Sequence, residues 1–367
     1  MRGIVDITSA ARQHPDFARH ERVLMVTEPS SGLDAIVAIH DTTLGPALGG
    51  CRIAAYESPG EALADVLRLS RAVTCKAAVA GLALGGGKAV VRGRPGFRPA
   101  EALFRAFGRA LESLGGRYIT GEDVGSTARE MDWIEAETRH VIGTTRLGGT
   151  PSSTTAAGVL AGMRAAVAHR LGTDRLAGAT VTVQGLGGVG MVLCELLAAE
   201  GARLIVADID PARCEEARRR LKARIVDPAE IHRIPADVFS PCALGGVLND
   251  GTVAALRCAV VAGAANNQLR HPEIAETLRR SDILYAPDYV INAGGLIAAF
   301  LSLKGYRPGD AAVLARVREI GSTLTGIVRR AEAKDQSPAA VADLLAEERI
   351  AARHAARGAT VERRTGT

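Results

Sequence analysis

The segment from Ala179 to Asp208 leaves this chain little freedom in how it folds. An apolar run, Ala179 to Gln184, leads into Gly185, Leu186, Gly187, Gly188, Val189 and Gly190, then into a helix-patterned stretch, Met191 to Glu200. Gly201 closes that helix, and a second apolar run, Arg203 to Ala207, ends in Asp208. Three glycines at this spacing are weak evidence alone. With a strand before them, a helix after them and an acid ending the next strand, they predict a Rossmann-type dinucleotide-binding unit. The glycines allow a tight turn, close approach of a pyrophosphate to the helix N-terminus, and close packing of helix on strand. Asp208 suits a ribose 2′-hydroxyl and repels a 2′-phosphate, which favours NAD over NADP.

Strand-and-turn patterning continues through Asp237 to Ala243, Ala259 to Gly263 and Ile283 to Ala286. Ligands of an open parallel sheet lie at the strands' carboxyl ends, which here carry Cys242, Ala243, Asn266, Asn267 and Asn292. Asn266 and Asn267 suit a nicotinamide amide or a substrate carboxylate; a plain Asx-turn is the alternative.

Earlier in the chain, Thr74 to Val91 reads TCKAAVAGLALGGGKAVV and holds Lys76 and Lys88 with no other charge. A lysine in an apolar, glycine-lined setting is costly unless paired, and desolvation draws its pKa down to where an amine trades protons. Two such lysines suggest two tasks: a fixed cation for an anionic substrate group, and a tunable acid/base. Gly85, Gly86 and Gly87, read as a turn, let the backbone approach a ligand just ahead of Lys88. A Walker-type phosphate loop fails, because Leu82 and Ala89 stand where it needs Gly and Ser or Thr. A merely structural turn remains the alternative. Further on, GEDVGST sets Glu122 and Asp123 at a strand's carboxyl end. An acid there can orient or balance a lysine, although Asp123 and Ser126 also suit a helix N-cap.

At 367 residues the chain predicts about two domains, each with its own core. Aromatic residues are only 3% of it, so Ala, Gly, Val and Leu carry the core, as closely packed α/β layers require. The net charge of +5 is spread over runs mixed with Glu, without the aromatic interleaving of a nucleic-acid surface. Cys51, Cys75, Cys194, Cys214, Cys242 and Cys258 form no CxxC pair and no cluster with zinc spacing, so no metal is expected and the thiols read as reduced. The first twenty residues are too polar for a signal peptide. The longest apolar run, Val290 to Leu303, is too short to span a bilayer and reads as one buried helix. A soluble, cytoplasmic protein with no nucleic-acid or membrane partner is expected.

Strands are expected at His20 to Thr27 and Gly32 to His40, and a short one after Gly49-Gly50 and Arg52. A helix runs from Ser58 to Thr74, opened by a Ser58–Glu61 capping box and Pro59, and delivers Lys76 at its end. A second spans about Arg98 to Leu114, and Tyr118 to Thr120 is a strand. The Gly-, Thr- and Pro-rich stretch Gly143 to Ser153 marks a domain boundary. Helices follow from Thr154 to Leu171, Asp310 to Ala333 and Pro338 to Ala356, with a frayed tail from Arg357. The fold class is therefore α/β in two domains, residues 1–147 and 148–337.

Together the stretches TCKAAVAGLALGGGKAVV, TGEDVGST, STTAAGV, VQGLGGVG, VVAGAANNQL and ILYAPDYVINAGG resemble the Glu/Leu/Phe/Val amino-acid dehydrogenases, in their shorter leucine, phenylalanine and valine branch. The likeness runs in order over about three quarters of the chain. It implies a catalytic N-terminal domain and an NAD domain separated by a cleft, a C-terminal helix (338–367) packing back on the first, and a homo-oligomer. It assigns Lys76 to the substrate α-carboxylate, Lys88 to acid/base catalysis and Asp123 to support of the proton transfers. Arg52, Asp123, Thr155, Asp208 and the 185–190 loop match cofactor contacts, and Ala265, Asn266 and Asn267 line the nicotinamide and substrate carboxylate. Gly49, Leu48, Gly121, Leu296 and Ala299 match the substrate pocket, where Gly121 suggests room for a larger side chain and Leu48 and Leu296 take some back. The implied reaction is reversible, NAD-dependent oxidative deamination of an apolar L-amino acid (Leu, Val or Phe) to its 2-oxo acid and ammonia, faster at alkaline pH. Cys51 and Cys75 border these motifs and suggest sensitivity to thiol reagents. Two other readings compete: a non-catalytic NAD-binding sensor, which has no use for two costly lysines, and a hydroxy-acid dehydrogenase, which needs a His-centred relay that none of these stretches supplies.

Overall fold

The computed structural model describes residues 3–93, 100–147 and 151–365, with side chains to residue 357. The chain forms two compact units, Met1–Gly148 with Ala346–Thr367, and Gly149–Leu345. The start of a helix near Arg98 and the junction at residue 148 fall outside the described residues.

The first unit runs β1 (Gly3–Asp6), α1 (Thr8–Ala11), β2 (Arg22–Glu28), β3 (Leu33–Asp41), β4 (Ala47–Ala55), α2 (Pro59–Val79), β5 (Gly85–Gly93), α3 (Glu101–Glu112), β6 (Tyr118–Glu122) and α4 (Ala128–Glu135). Its sheet is ordered β1-β2-β3-β5-β4-β6. The pairs β1–β2, β2–β3 and β3–β5 are antiparallel, with β2 and β3 joined by a short turn, whereas β5, β4 and β6 are parallel, as helical crossovers α2 and α3 demand. Alternate residues of β5 serve two cores: Val90 packs with Ile36, Val66 and Leu67 under α2, and Ala89 and Val91 pack with Cys51, Phe104 and Tyr118 on the other face. Burial on both faces explains the unbroken apolar run that β5 shows in sequence.

Two local expectations shift. Ser58 does cap α2, accepting from the Glu61 amide at 3.1 Å, but the helix continues past Thr74 to Val79 and carries Lys76 in its last turn. It stops only where Gly81 takes a left-handed φ of 65°. The glycines ahead of Lys88 form no turn; they begin β5. A Cβ on Gly86 would lie 2.2 Å from Thr74 Oγ1, and one on Gly87 2.6 Å from the Tyr118 ring. Their bareness lets helix and ring close on the strand.

The second unit runs α5 (Pro151–Leu171), β7 (Thr180–Gln184), α6 (Gly188–Ala199), β8 (Arg203–Ala207), α7 (Pro211–Leu221), β9 (Arg224–Ile225), β10 (Val238–Pro241), α8 (Asp250–Ala255), β11 (Val260–Val261), α9 (Ile274–Arg280), β12 (Leu284–Tyr285), α10 (Asp288–Ile291), α11 (Gly294–Ser302), α12 (Ala311–Lys334) and the start of α13 (Pro338–Thr365). Its sheet is wholly parallel in the order β12-β11-β10-β7-β8-β9, so the strand order reverses beside β7, where such folds hold ligands. The single buried helix expected over 290–303 is two, α10 and α11. Asn292 ends the first by turning its side chain to the Ala264 carbonyl, and Gly294 opens the second against the Thr154 carbonyl, where a Cβ would come within 2.0 Å. Helix α13 runs on through the expected frayed tail to Thr365 and leaves the second unit for the first at Ala346. Among the described residues no helix is long and apolar enough to cross a membrane.

Candidate active site

In the first unit the strand register places Gly50 of β4 beside Gly121 of β6, and Arg52 beside Val90, on the α2 face of the sheet. Lys88, two residues from Val90, points to the same face. Between Lys88 and Gly121 that floor carries no side chain. Lys88 is only 7% exposed, and its Nζ lies 2.8 Å from Asp123 Oδ2. The same oxygen accepts from Arg52 Nε at 3.1 Å. Burial pushes the Asp123 carboxyl up, but Lys88 and Arg52 together outweigh it and hold the group below the usual carboxylate range.

Local sequence explains why Asp123 arrives there. Its amide donates to Ser126 Oγ at 3.0 Å, and that hydroxyl donates to the Cys51 carbonyl at 2.8 Å, tying the end of β6 to β4. Gly50 is required, since a Cβ would sit 2.7 Å from Asp123 Cβ. The N-cap of α4 is Thr127, whose amide donates to Glu130 at 2.8 Å, so Asp123 is left for the ion cluster. Lys76 lies half-buried in the last turn of α2. That turn is closed by Arg349 of α13, which donates to the Ala78 and Val79 carbonyls at 2.7 and 2.6 Å.

Among the pocket positions, Leu48 and Gly49 are buried on β4; a Cβ on Gly49 would meet the Gly87 carbonyl oxygen at 1.8 Å. Above Gly121 the space is not open: a Cβ there would come within 3.0 Å of Ile142 Cγ1. Ile142 joins the sheet edge by donating its amide to the Thr120 carbonyl at 2.9 Å, a pairing no motif announces. Leu296 and Ala299 lie one turn apart on α11 of the second unit, both half-buried. Cys51 is fully buried beneath this cluster, and burial, reinforced by Asp123, pushes its thiol up to about 12. A thiol so placed is inert, which takes Cys51 out of the expected reagent sensitivity; Cys75, on α2, is half-buried.

The second unit gathers its expected residues around the carboxyl ends of β7, β8 and β10. Gly185 takes a φ of 100° and lies so close to Ala243 that a Cβ would meet its amide nitrogen at 2.8 Å. On Gly190 a Cβ would meet the Gly185 carbonyl oxygen at 2.0 Å, whereas one on Gly187 would find only Arg213 Nη1, 4.0 Å away. The loop thus packs at its ends and stays open in the middle, just before α6 begins at Gly188; Leu186 is buried and Val189 half-buried on the same turn. Asp208 accepts from the Leu186 amide at 2.6 Å, and next to it Ile209 is 92% exposed, an apolar platform at a strand end. The Cys242 amide donates to the Gln184 carbonyl at 2.7 Å and that of Ala265 to the Pro241 carbonyl at 3.0 Å. Asn292 Nδ2 donates to Asn266 Oδ1 at 2.9 Å, leaving Asn292 Oδ1 buried without a partner. Asn267 adopts a left-handed φ of 53°. Thr155, in the second turn of α5, packs against Gly295 of α11. An open amide turn, an acid beside an apolar platform and an orphaned amide oxygen fit a nicotinamide dinucleotide. Among the described residues no group of His, Cys, Asp and Glu is arranged to hold a metal ion.

Residues 20–140 match the family model described as Glu/Leu/Phe/Val dehydrogenase, dimerisation domain, and residues 211–358 match Glutamate/Leucine/Phenylalanine/Valine dehydrogenase. The chain is 48% identical to a leucine dehydrogenase of Geobacillus stearothermophilus over 90% of each sequence. It is 44% identical to a phenylalanine dehydrogenase of Caldalkalibacillus thermarum over 91% of this chain and 92% of the relative. The crystal structure of L-tryptophan dehydrogenase from Nostoc punctiforme superposes with a TM-score of 0.81 at 41% identity, covering 94% of this chain and 99% of that one. Fold and site therefore define an oxidoreductase acting on CH–NH2 groups with a nicotinamide cofactor. The chain belongs to the Glu/Leu/Phe/Val dehydrogenase family, and its reaction is the oxidative deamination of an amino acid.

Proposed function

We propose that the enzyme uses NAD and interconverts an apolar L-amino acid with its 2-oxo acid and ammonia, with Lys88 as acid/base. The observation that carries this is the buried Lys88–Asp123 contact over a floor made bare by Gly50 and Gly121. Bound NAD supplies the acceptor for the hydride that leaves the substrate α-carbon. Lys76 holds the α-carboxylate. As water adds to the substrate imine, the neutral Lys88 amine takes its proton, and the resulting ammonium returns a proton to the departing nitrogen. Asp123 keeps Lys88 aimed and balances the charge it gains.

The preference for NAD rests on Asp208, whose carboxylate repels a 2′-phosphate. Leu, Val and Phe are the favoured substrates, and the relatives named for leucine, phenylalanine and tryptophan keep a larger ring in view. Ile142 and Leu48 set the opposite limit. The match to a dimerisation-domain model supports a homo-oligomer, and six free thiols support a reducing, cytoplasmic setting. The catalytic role falls to the first unit and the cofactor role to the second.

The test is NADH formation at alkaline pH with a panel of L-amino acids, wild type beside Lys88→Ala, repeated with NADP. Turnover with apolar substrates and NAD, lost in the variant, is expected. No turnover with any amino acid, in protein that still binds NAD, would sink this reading.

A further inference from the structure

Helix α2 carries a second charged residue in line with Lys76. Asp65 precedes it by three helical turns, so the two share one face of the helix about 16 Å apart. The Asp65 carboxylate grips the far side of Arg52, whose Nη1 lies 3.0 Å from Oδ2 and 3.3 Å from Oδ1. Tyr56, just past β4, donates to the same Oδ2 at 2.8 Å. Arg52 turns its Nε the other way, to the Asp123 oxygen that also faces Lys88. Asp65, Arg52, Asp123 and Lys88 therefore alternate in sign and sum to zero.

Exposed ion pairs are worth little. Here no side chain of the four is more than 24% exposed, so each charge is felt by the next. Of the remaining titratable groups, the Glu122 carboxyl next to Asp123 pairs in register with Cys51, on the sheet face opposite Lys88. Tyr56, Cys51 and Tyr118 are kept neutral by burial, which raises all three, and Lys76 farther along α2 is a cation.

We propose that Asp65, held by Tyr56, is a positioning residue that acts through Arg52 to fix Asp123 and to set the charge felt by the Lys88 amine. This rests on the reading of Lys88 as the acid/base. Loss of the Asp65 charge leaves the cluster with a net positive charge, which disfavours the ammonium form of Lys88 and lets the neutral amine appear at lower pH.

The test compares pH profiles of oxidative deamination for the wild type, Asp65→Asn, Asp65→Glu, Tyr56→Phe and Lys88→Ala. In Asp65→Asn, kcat falls about three- to tenfold, KM for the amino acid stays within about twofold, and the acid limb of kcat/KM moves down by about half a pH unit. Asp65→Glu returns the limb to its wild-type position. Tyr56→Phe lowers kcat about twofold with the limb in place. An unmoved limb in folded Asp65→Asn overturns the proposal, as does a shift that Asp65→Glu fails to reverse. If Asp65→Asn does not fold, Asp65→Ser carries the same expectations. Turnover surviving in Lys88→Ala overturns the underlying reading of Lys88 instead; its loss there beside an unchanged Asp65→Asn profile removes this proposal alone.

Discussion

The two units build their candidate sites from opposite materials. In the first, charged side chains hold one another: Lys88, Asp123, Arg52 and Asp65 are each satisfied by the next. In the second, the work falls to backbone amides, small side chains and places where a side chain is missing, with Asp208 as the single expected acid. Moving a proton needs groups whose charge state matters, and inside a protein each must be compensated by a neighbour. Holding a dinucleotide needs closeness, so the feature that counts is the absence of a Cβ.

That contrast is sharpest in substitutions that strike one unit and should spare the other. Asp123→Asn is expected to lower kcat by about 10²- to 10³-fold while the affinity for NADH stays within about threefold. A parallel fall in NADH affinity, read by fluorescence titration, would break the separation. Gly190→Ala should do the reverse. Its Cβ would lie 2.0 Å from the Gly185 carbonyl oxygen, which cannot swing aside. A loss of about 2–3 kcal/mol in urea unfolding is expected, with weakened NADH binding and an unmoved acid limb in the activity of what remains folded.

Acid should enter through the first unit. His20 is 3% exposed, packs edge-on against His40 with ring centroids 4.8 Å apart, and shares its Nε2 between the Leu67 carbonyl and Ser70 Oγ. Burial, then the neighbouring His40, draws His20 down from 6.5 to about 4, and burial lowers His40 as well. The unfolded chain therefore binds the protons that the folded one refuses. Stability is whole above pH 6.5 and falls as pH drops toward 4. About 2 kcal/mol should be lost between pH 7.5 and 5, and His20→Gln should flatten that slope in urea titrations. The smallest effect is expected at Gly121→Ala, where Ile142 need yield only a few tenths of an ångström. Stability should change by less than about 1 kcal/mol, and kcat/KM for phenylalanine should fall relative to leucine by about three- to tenfold. Equal losses for both substrates would show that Ile142 does not wall the side-chain pocket.

Sequence legibility divides along the same line. The second unit was readable because its features are local: a strand, a glycine turn, a helix and an acid follow one another within thirty residues, and the structure keeps them in that order. In the first unit, Lys88 and Asp123 stood out because each sits in a short, unusual stretch. Arg52's role as a link, with Asp65 and Tyr56 behind it, did not, because it depends on α2 folding back over β4. The three-turn spacing of Asp65 and Lys76 was visible, but a helix that length has several charged lines and only packing selects one. Ile142 was hidden for a similar reason: it reaches Gly121 through a pairing at the sheet edge that no turn residue marks. The glycines before Lys88 misled because bareness serves tight packing as readily as a turn.

Arg349 has one further consequence, and it concerns synthesis. The carbonyls that it closes, at the turn of α2 that carries Lys76, lie 271 and 270 residues earlier in the chain. A ribosome therefore releases the first unit's strands and helices long before the residue that finishes that turn exists. For most of translation the lysine-bearing end of α2 must wait without the two guanidinium bonds that Arg349 gives the Ala78 and Val79 carbonyls, and that turn is finished only as α13 emerges.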